Sequence, residues 1–316
     1  MIDAIEYNPS WTYCPHIDSP IEIGITGNLI NQESNVDPLE NPTYYLSIIA
    51  IFRDEARFLK EWVEFYKLMG VEHFYLYNHL SKDNPQDILK PYIDQGIVEL
   101  TNLNHEPLNA TDWYKNVQYK VYNEAIKTTA NITEWLIVVD SDEFLFPVKE
   151  NNLTSVLKNY DNYASLAVNW KIFGSNNVSK IESDQLMIEK LVMKENTPNL
   201  HIKNIIKPRY VEQFTNPHFA ILKPGYTQIT ENYQIFKGPF SPCTSTNILA
   251  INHYRTRDLE FFEETKLSRV HLVNKKLSEE AKKRKISELI DYNNKYSSLY
   301  DGEILKFVDN LKERML

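Results

Sequence analysis

Asp140 and Asp142 stand two residues apart at the end of the run Trp135-Leu136-Ile137-Val138-Val139, with Ser141 between them and Glu143-Phe144-Leu145-Phe146-Pro147 behind. Two carboxylates held close together repel, and a divalent cation between them removes that repulsion. Oxygen-only ligands suit hard ions such as magnesium or manganese. The preceding run is short, apolar and rich in β-branched residues, so it reads as a buried strand. Strand interiors disfavour Asp, which puts the acids at the strand exit. If the segment stays extended, both carboxylates point to one side. The carboxyl end of a buried strand in an α/β sheet is where nucleotide ligands bind. The rival reading is a solvated acidic turn.

The elements that must position this pair are legible upstream. Tyr44 to Phe52 is a strongly apolar strand, followed by Arg53-Asp54-Glu55. Phe58, Leu59, Trp62, Val63, Phe65, Tyr66 and Met69 then recur at helical spacing, with Gly70 as the cap. His73 to Tyr77 reads as a second strand, Gln86 to Gln95 as a helix, Ile97 to Leu100 as a third strand, and Asp112 to Thr129 as a helix. Trp135 to Val139 is the fourth strand. This alternation predicts an α/β fold with a mostly parallel sheet and right-handed crossovers. Leu153 to Tyr160 reads as helical and Ser165 to Phe173 as a strand, whereas 174–250, with six prolines, reads as irregular acceptor or lid loops. Three parts are expected: an irregular extension over 1–43, the α/β domain over 44–258, and a charged helical segment over 259–316.

With 316 residues and 42% hydrophobic content, the chain can bury a large core. A net charge of -9 argues against a general nucleic-acid binder, which needs a basic surface, but not against a local basic pocket. Cys14 and Cys243 are far apart and have no metal-binding spacing, so neither a thiolate metal site nor a disulfide framework is expected. The start shows no signal-peptide pattern, and no stretch approaches the ~18–20 apolar residues of a membrane span. The expectation is therefore a reducing, cytoplasmic setting. Peripheral membrane contact through the basic run Lys282-Lys283-Arg284-Lys285 is the variant reading, and a solvated helix face the plainer one.

A set of ordered strings extends the reading: Ile51-Phe52-Arg53-Asp54-Glu55, Leu59-Lys60-Glu61-Trp62-Val63-Glu64-Phe65, Gly70 through Asn78, Leu89-Lys90-Pro91-Tyr92, Asp140 through Phe144, Asn169 through Ser175, Lys207-Pro208, His218-Phe219 and Asn252-His253-Tyr254-Arg255. In this order and at these distances they resemble glycosyltransferase family 92, a GT-A type family, over roughly residues 45–265. The resemblance implies a GT-A type, Rossmann-like sheet flanked by helices. It further implies a metal-dependent, inverting hexosyltransferase that moves galactose from UDP-galactose to a sugar hydroxyl on a glycan or glycolipid. Family members known to do this carry a membrane anchor, a feature this sequence does not display.

The resemblance assigns roles to residues. Asp140 and Asp142 match the family's Asp-x-Asp, implying Mn2+ or Mg2+ between protein and the UDP diphosphate, with Asp140 able to reach the ribose instead. His253 matches the histidine that completes the metal site. Glu143 would support the cluster or cap the next segment. Arg255 or Arg257 would pair with a phosphate. Arg53 and Glu55, at the first strand exit, are nucleotide-contact candidates, with N-capping by Asp54 as the rival. Asn78 and Asp83 lie in the loop that would read the uracil edge, and an Asx turn is the alternative. Gln118 and Asn123 would face the sugar nucleotide, or solvent. The general base that an inverting transfer needs is left open among Asp184, Glu189 and His218. Trp170 and Phe173 would stack on sugar faces or simply fill the core. Two other functions stay open: a metal-dependent hydrolase of nucleotide sugars or phosphodiesters, and a non-catalytic carbohydrate-binding protein on the same fold.

Overall fold

The computed structural model of the chain describes residues 36–267 and 278–316. Most of the extension expected over 1–43, together with Cys14, lies outside the described residues. Strands run β1 (Tyr44–Phe52), β2 (His73–His79), β3 (Val98–Leu103), β4 (Thr133–Val138), β5 (Glu143–Pro147), β6 (Ser165–Ile172), β7 (Met193–Lys194), β8 (Ile202–Ile206), β9 (Val211–Phe214), β10 (Ala220–Leu222), β11 (Gln228–Thr230), β12 (Ile235–Phe236), β13 (Leu249–His253) and β14 (Leu299–Tyr300). The main sheet has the order β12-β11-β6-β8-β4-β1-β2-β3, and β13 joins it by pairing with both β5 and β6. The β4-β1-β2-β3 half is parallel throughout, as the alternating elements predict.

That half forms because its strands are continuous apolar runs, the pattern of a parallel sheet covered on both faces. From Leu46 to Phe52 every residue of β1 is buried, and so is all of β4. One face is covered by α1 (Ala56–Leu68), which buries Phe58, Leu59, Trp62, Val63, Phe65 and Tyr66. The helix stops at Met69, and Gly70 follows with φ +95, a left-handed conformation that glycine adopts at little cost. A Cβ there would also stand 2.8 Å from Thr154 Cγ2. After α2 (Pro85–Asp94), the opposite face is covered by a helix over residues 110–129, built from α3 (Ala110–Trp113), a π-helical turn (Tyr114–Gln118) and α4 (Tyr119–Thr129).

The region from 174 to 250, read as irregular, contains a strand at the centre of the sheet. β8 lies between β4 and β6 and is antiparallel to both, an antiparallel insertion in a sheet whose pairings are otherwise mostly parallel. Its sequence hides it, because Lys203 and Asn204 interrupt the apolar run. Both are buried and matched: Asn204 Oδ1 accepts from Ala220 N at 2.9 Å, and its Nδ2 donates to Gln228 Oε1 at 2.9 Å. The C-terminal part is tied back onto the domain. β14 pairs with β7, Lys171 binds Asp301 at 3.1 Å, and the last helix (Val308–Met315) packs on α1 with Leu311 fully buried.

Two aromatic residues of α1 hold the segment after the acidic turn. Trp62 Nε1 donates to Glu143 O at 3.1 Å. The Tyr66 hydroxyl donates to Glu143 O at 3.0 Å and accepts from Leu145 N at 3.0 Å. Tyr66→Phe keeps the ring and strands a buried N–H. We expect a loss of about 1–3 kcal/mol, read from urea denaturation; stability equal to wild type would remove Tyr66 from this role.

Candidate active site

The strand order places a crevice. The chain leaves β1 toward β2 and β3 on one side and returns to β4 on the other, so the carboxyl ends of β1 and β4 flank a topological switch point, the usual ligand position in open α/β sheets. A cavity of about 510 Å³ opens there. Arg53 and Glu55 come from the exit of β1, His79 from the end of β2, and Trp113, Tyr114 and Gln118 from the helix over 110–129. Asp140, Ser141 and Asp142 follow β4, and His218, His253, Arg255 and Lys266 complete the wall. The volume suits a ligand of nucleotide size. Tyr114 and Gln118 come from a π-helical turn, an insertion that recurs at functional sites.

The acidic segment is a turn, not an extended strand end: Glu143 N donates to Asp140 O at 3.1 Å. The two carboxylates therefore diverge. Asp140 accepts from Lys203 Nζ at 2.8 Å. Asp142 places Oδ1 3.4 Å from His253 Nε2 and accepts from Lys266 Nζ at 3.0 Å through Oδ2. His253 reaches it because β13 sits directly against β5, His253 opposite Glu143, and Tyr254 N donates to Asp142 O at 2.8 Å. Burial opposes ionisation of Asp142, but Lys266, His253 and Arg257 together hold its carboxyl well below the usual range. Burial also lowers His253, against the pull of Asp142, and so favours a neutral imidazole. Glu143 is the opposite case. It is fully buried, and burial pushes it well above an ordinary carboxylate despite Lys203 at 3.7 Å. Its Oε2 accepts from Asp140 N at 2.9 Å, which caps the turn.

Arg257 is removed from the phosphate-binding candidates. Its guanidinium is fully buried, bound to Glu55 at 2.6 Å and to Ser141 O at 2.9 Å, and so clamps the acidic turn to the start of α1. Its φ of +61 is left-handed and costly for an arginine. Asp54, between the lining residues Arg53 and Glu55, has φ +55, which aspartate tolerates better. Arg255 is the exposed arginine that lines it.

Several expected contacts are placed elsewhere. Asp83 Oδ2 accepts from Ala56 N at 2.7 Å and so caps α1 from the neighbouring loop, while Asp54 Oδ1 accepts from Lys82 N at 2.7 Å. Asn78 Oδ1 accepts from Ser81 N, and its Nδ2 donates to Asn102, which is the Asx-turn alternative. Asn123 is paired in both directions with the Phe214 backbone. None of Asn78, Asp83 and Asn123 lines the cavity; backbone groups and the Asn102 side chain take up their polar atoms. Gln118 does line it, with Nε2 donating to Tyr122 at 3.1 Å. Of the base candidates, Asp184 lies on an exposed turn and Glu189 is held by Lys312 at 2.7 Å; neither lines the cavity. His218 does, its ring edge-on to Trp170 at 5.0 Å. Trp170 also stacks on His201 at 5.1 Å and tilts against His253 at 4.6 Å, whereas Phe173 is fully buried. Lys203, Lys266, His79, Trp113 and Tyr114 were not singled out by sequence. Lys203 gave no signal, being one lysine in an unrecognised strand.

Among the described residues no group of three or more His, Cys, Asp or Glu forms a ready-made metal cluster. The donor set nonetheless fits a hard divalent ion shared with a ligand. Asp142 and His253 converge, Asp140 is two residues away along the turn, and the Lys266 ammonium sits where positive charge is wanted. Magnesium-like ions are commonly held by one or two carboxylates plus substrate phosphates. Cys243 is disulfide-bonded, where the sequence led to the expectation of no disulfide. Among the described residues no helix is long and apolar enough to cross a membrane.

Comparison with known proteins adds to the geometry. The model of Glycosyltransferase family 92 matches residues 46–298. A glycosyltransferase family 92 protein from Ricinus communis is 26% identical over 231 residues, covering 71% of this chain and 38% of that protein. One from Oryza sativa is 22% identical, covering 71% and 35%. Galactan beta-1,4-galactosyltransferase GALS3 from Arabidopsis thaliana is 27% identical over 114 residues, covering 35% and 22%. The chain thus spans well under half the length of these curated relatives. Among solved structures, S. aureus TarS is similar at a TM-score of 0.38 and 14% identity, covering 78% of this chain and 70% of that one.

Burial, with Lys203 and His201 nearby, lowers His218 to about 3. The unfolded chain takes up a proton near pH 6.5 that the folded chain refuses down to about 3, so this contribution to stability is intact above 6.5 and lost as pH falls through that window. The loss is on the order of 2 kcal/mol by pH ~5. In metal-free buffer, His218→Phe should flatten the stability-versus-pH slope there; an unchanged slope would contradict the assignment.

Proposed function

The chain belongs to glycosyltransferase family 92, and on that premise we propose that it is a metal-dependent, inverting hexosyltransferase that takes galactose from UDP-galactose to a hydroxyl of a glycan or glycolipid. The observation that carries this reading is the convergence of Asp140, Asp142, His253, Arg53 and Arg255 on one nucleotide-sized cavity at the switch point of the sheet. The galactan galactosyltransferase named above supports galactose over other hexoses, through a partial likeness.

Asp142 and His253, with Asp140 beside them, would hold manganese or magnesium. When bound, the ion would supply Lewis-acid stabilisation of the departing diphosphate. Arg53 and Arg255 carry positive charge into the same cavity and would draw in and orient the diphosphate. Trp113 and Tyr114 offer flat apolar faces, while Gln118 presents an amide next to them. His218, which also lines the cavity, is the remaining base candidate. It is neutral in the donor-free cavity and can accept the proton of an acceptor hydroxyl at an imidazole nitrogen. The negative charge of an entering diphosphate would raise its basicity. Trp170, packed under His218 and His253, would fix both rings.

Isothermal titration with UDP, UDP-galactose and UDP-glucose, with and without manganese, tests the donor site. Manganese-dependent binding that prefers UDP-galactose is expected, and Asp142→Asn should abolish the manganese dependence; binding indifferent to metal in both proteins would overturn the cation site. In transfer assays His218→Gln should keep UDP affinity and lose about 10²-fold or more in rate. Full transfer by that variant would exclude His218 as the base.

A further inference from the structure

Lys266 enters the cavity from the turn that follows the short helix Leu259–Phe261. Its ammonium lies 3.0 Å from Asp142 Oδ2 and 4.0 Å from Glu55 Oε1, between two buried carboxylates, with the side chain only 20% exposed. Glu55 is already matched by Arg257 at 2.6 Å, so the partner that Lys266 serves is Asp142. A hard divalent ion coordinates carboxylate oxygen at about 2.0–2.2 Å. An ion held by Asp142 and His253 would enter on the Oδ1 side, while the Lys266 ammonium stands at Oδ2. Two cations on one carboxylate repel, and more so in a buried site. The ion therefore weakens the hold of Asp142 on Lys266.

Held less tightly by Asp142, the ammonium keeps its anchor in the cavity wall, beside the Phe261 ring at 5.9 Å, and faces the volume it shares with Arg53 and Arg255. A nucleoside diphosphate in that volume is the group that would take up the displaced charge. We propose that Lys266 is a resident cation of the donor site: it holds Asp142 while the site is empty, yields it to the divalent ion, and then binds the diphosphate oxygens of the nucleotide. The role rests on the cation-site reading above and adds a specific consequence. Lys266 must weaken the binding of metal alone and strengthen the binding of nucleotide diphosphate.

These opposite signs make the test. Titrate wild type, Lys266→Met and Lys266→Arg with manganese alone, following free ion by electron paramagnetic resonance, and then with UDP at saturating manganese by calorimetry. Lys266→Met should bind manganese alone about tenfold tighter, since a competing like charge is gone. It should bind UDP about tenfold more weakly, since a charge-assisted contact is lost. Lys266→Arg should stay near wild type in both. Equal manganese affinity in wild type and Lys266→Met, or UDP affinity that Lys266→Met leaves unchanged, overturns the proposal while leaving the metal site standing. Failure of manganese to bind any of the three removes the metal site and this role together. Circular dichroism confirms that each variant is folded before it is scored.

Discussion

Charge balance at the exit of β4 is the constraint on which the site depends. Glu55, Asp140, Asp142 and Glu143 are brought within one small volume, three of them buried. Carboxylates so placed would separate or take up protons unless cations came with them. The cations are supplied from far away in sequence. Lys203 comes from β8 to Asp140, Arg257 from beyond β13 to Glu55 and Ser141, and Lys266 from the following turn to Asp142. Glu143, fully buried with Lys203 3.7 Å away and its Oε2 accepting from Asp140 N, is pushed by burial well above an ordinary carboxylate. Buried pairs of this kind add little net stability, because desolvation offsets attraction. Stability comes instead from the apolar runs of β1 and β4 packed under α1 and α4.

What those pairs contribute is geometry. Asp140 is drawn to one side by Lys203 and Asp142 to the other by His253 and Lys266, so the two acids face the cavity from different angles. Arg257 in a left-handed conformation, Trp62 and Tyr66 fix the turn from beneath. The carboxylates are thus held in place before any ligand arrives, which is the condition for electrostatic preorganisation. His253 links Asp142 to the Trp170 ring, against which His218 and His201 also pack.

The first half of the fold was readable because each element repeats a simple pattern. β1 and β4 are unbroken apolar runs, α1 has helical spacing closed by Gly70, and the acids sit where a strand interior would reject them. Beyond that half, Leu153 to Tyr160 and the strand at Ser165 to Phe173 were also readable, but 174–250 was not, because β8 carries Lys203 and Asn204 in its middle and takes its place through long-range pairing with β4 and β6. The same cause hid the site's cations: a lysine that neutralises a carboxylate 63 positions away leaves no local trace. Residue type also misled. Asn78, Asp83 and Asn123 have the right chemistry for a nucleotide, but backbone N–H and C=O groups beside them compete for it and win. Asp184 and Glu189 were placed by their order along the chain, and the chain turns them outward.

The central claim is that the turn after β4 is the cation end of a donor cavity. Diffraction from crystals grown with manganese and UDP, with anomalous data at the manganese edge, tests it most directly. The account predicts one anomalous peak between Asp142, His253 and the diphosphate, with the Lys266 ammonium moved off Asp142 toward phosphate oxygen. UDP bound in the cavity with no peak there, or a peak coordinated by residues outside the turn, would contradict it.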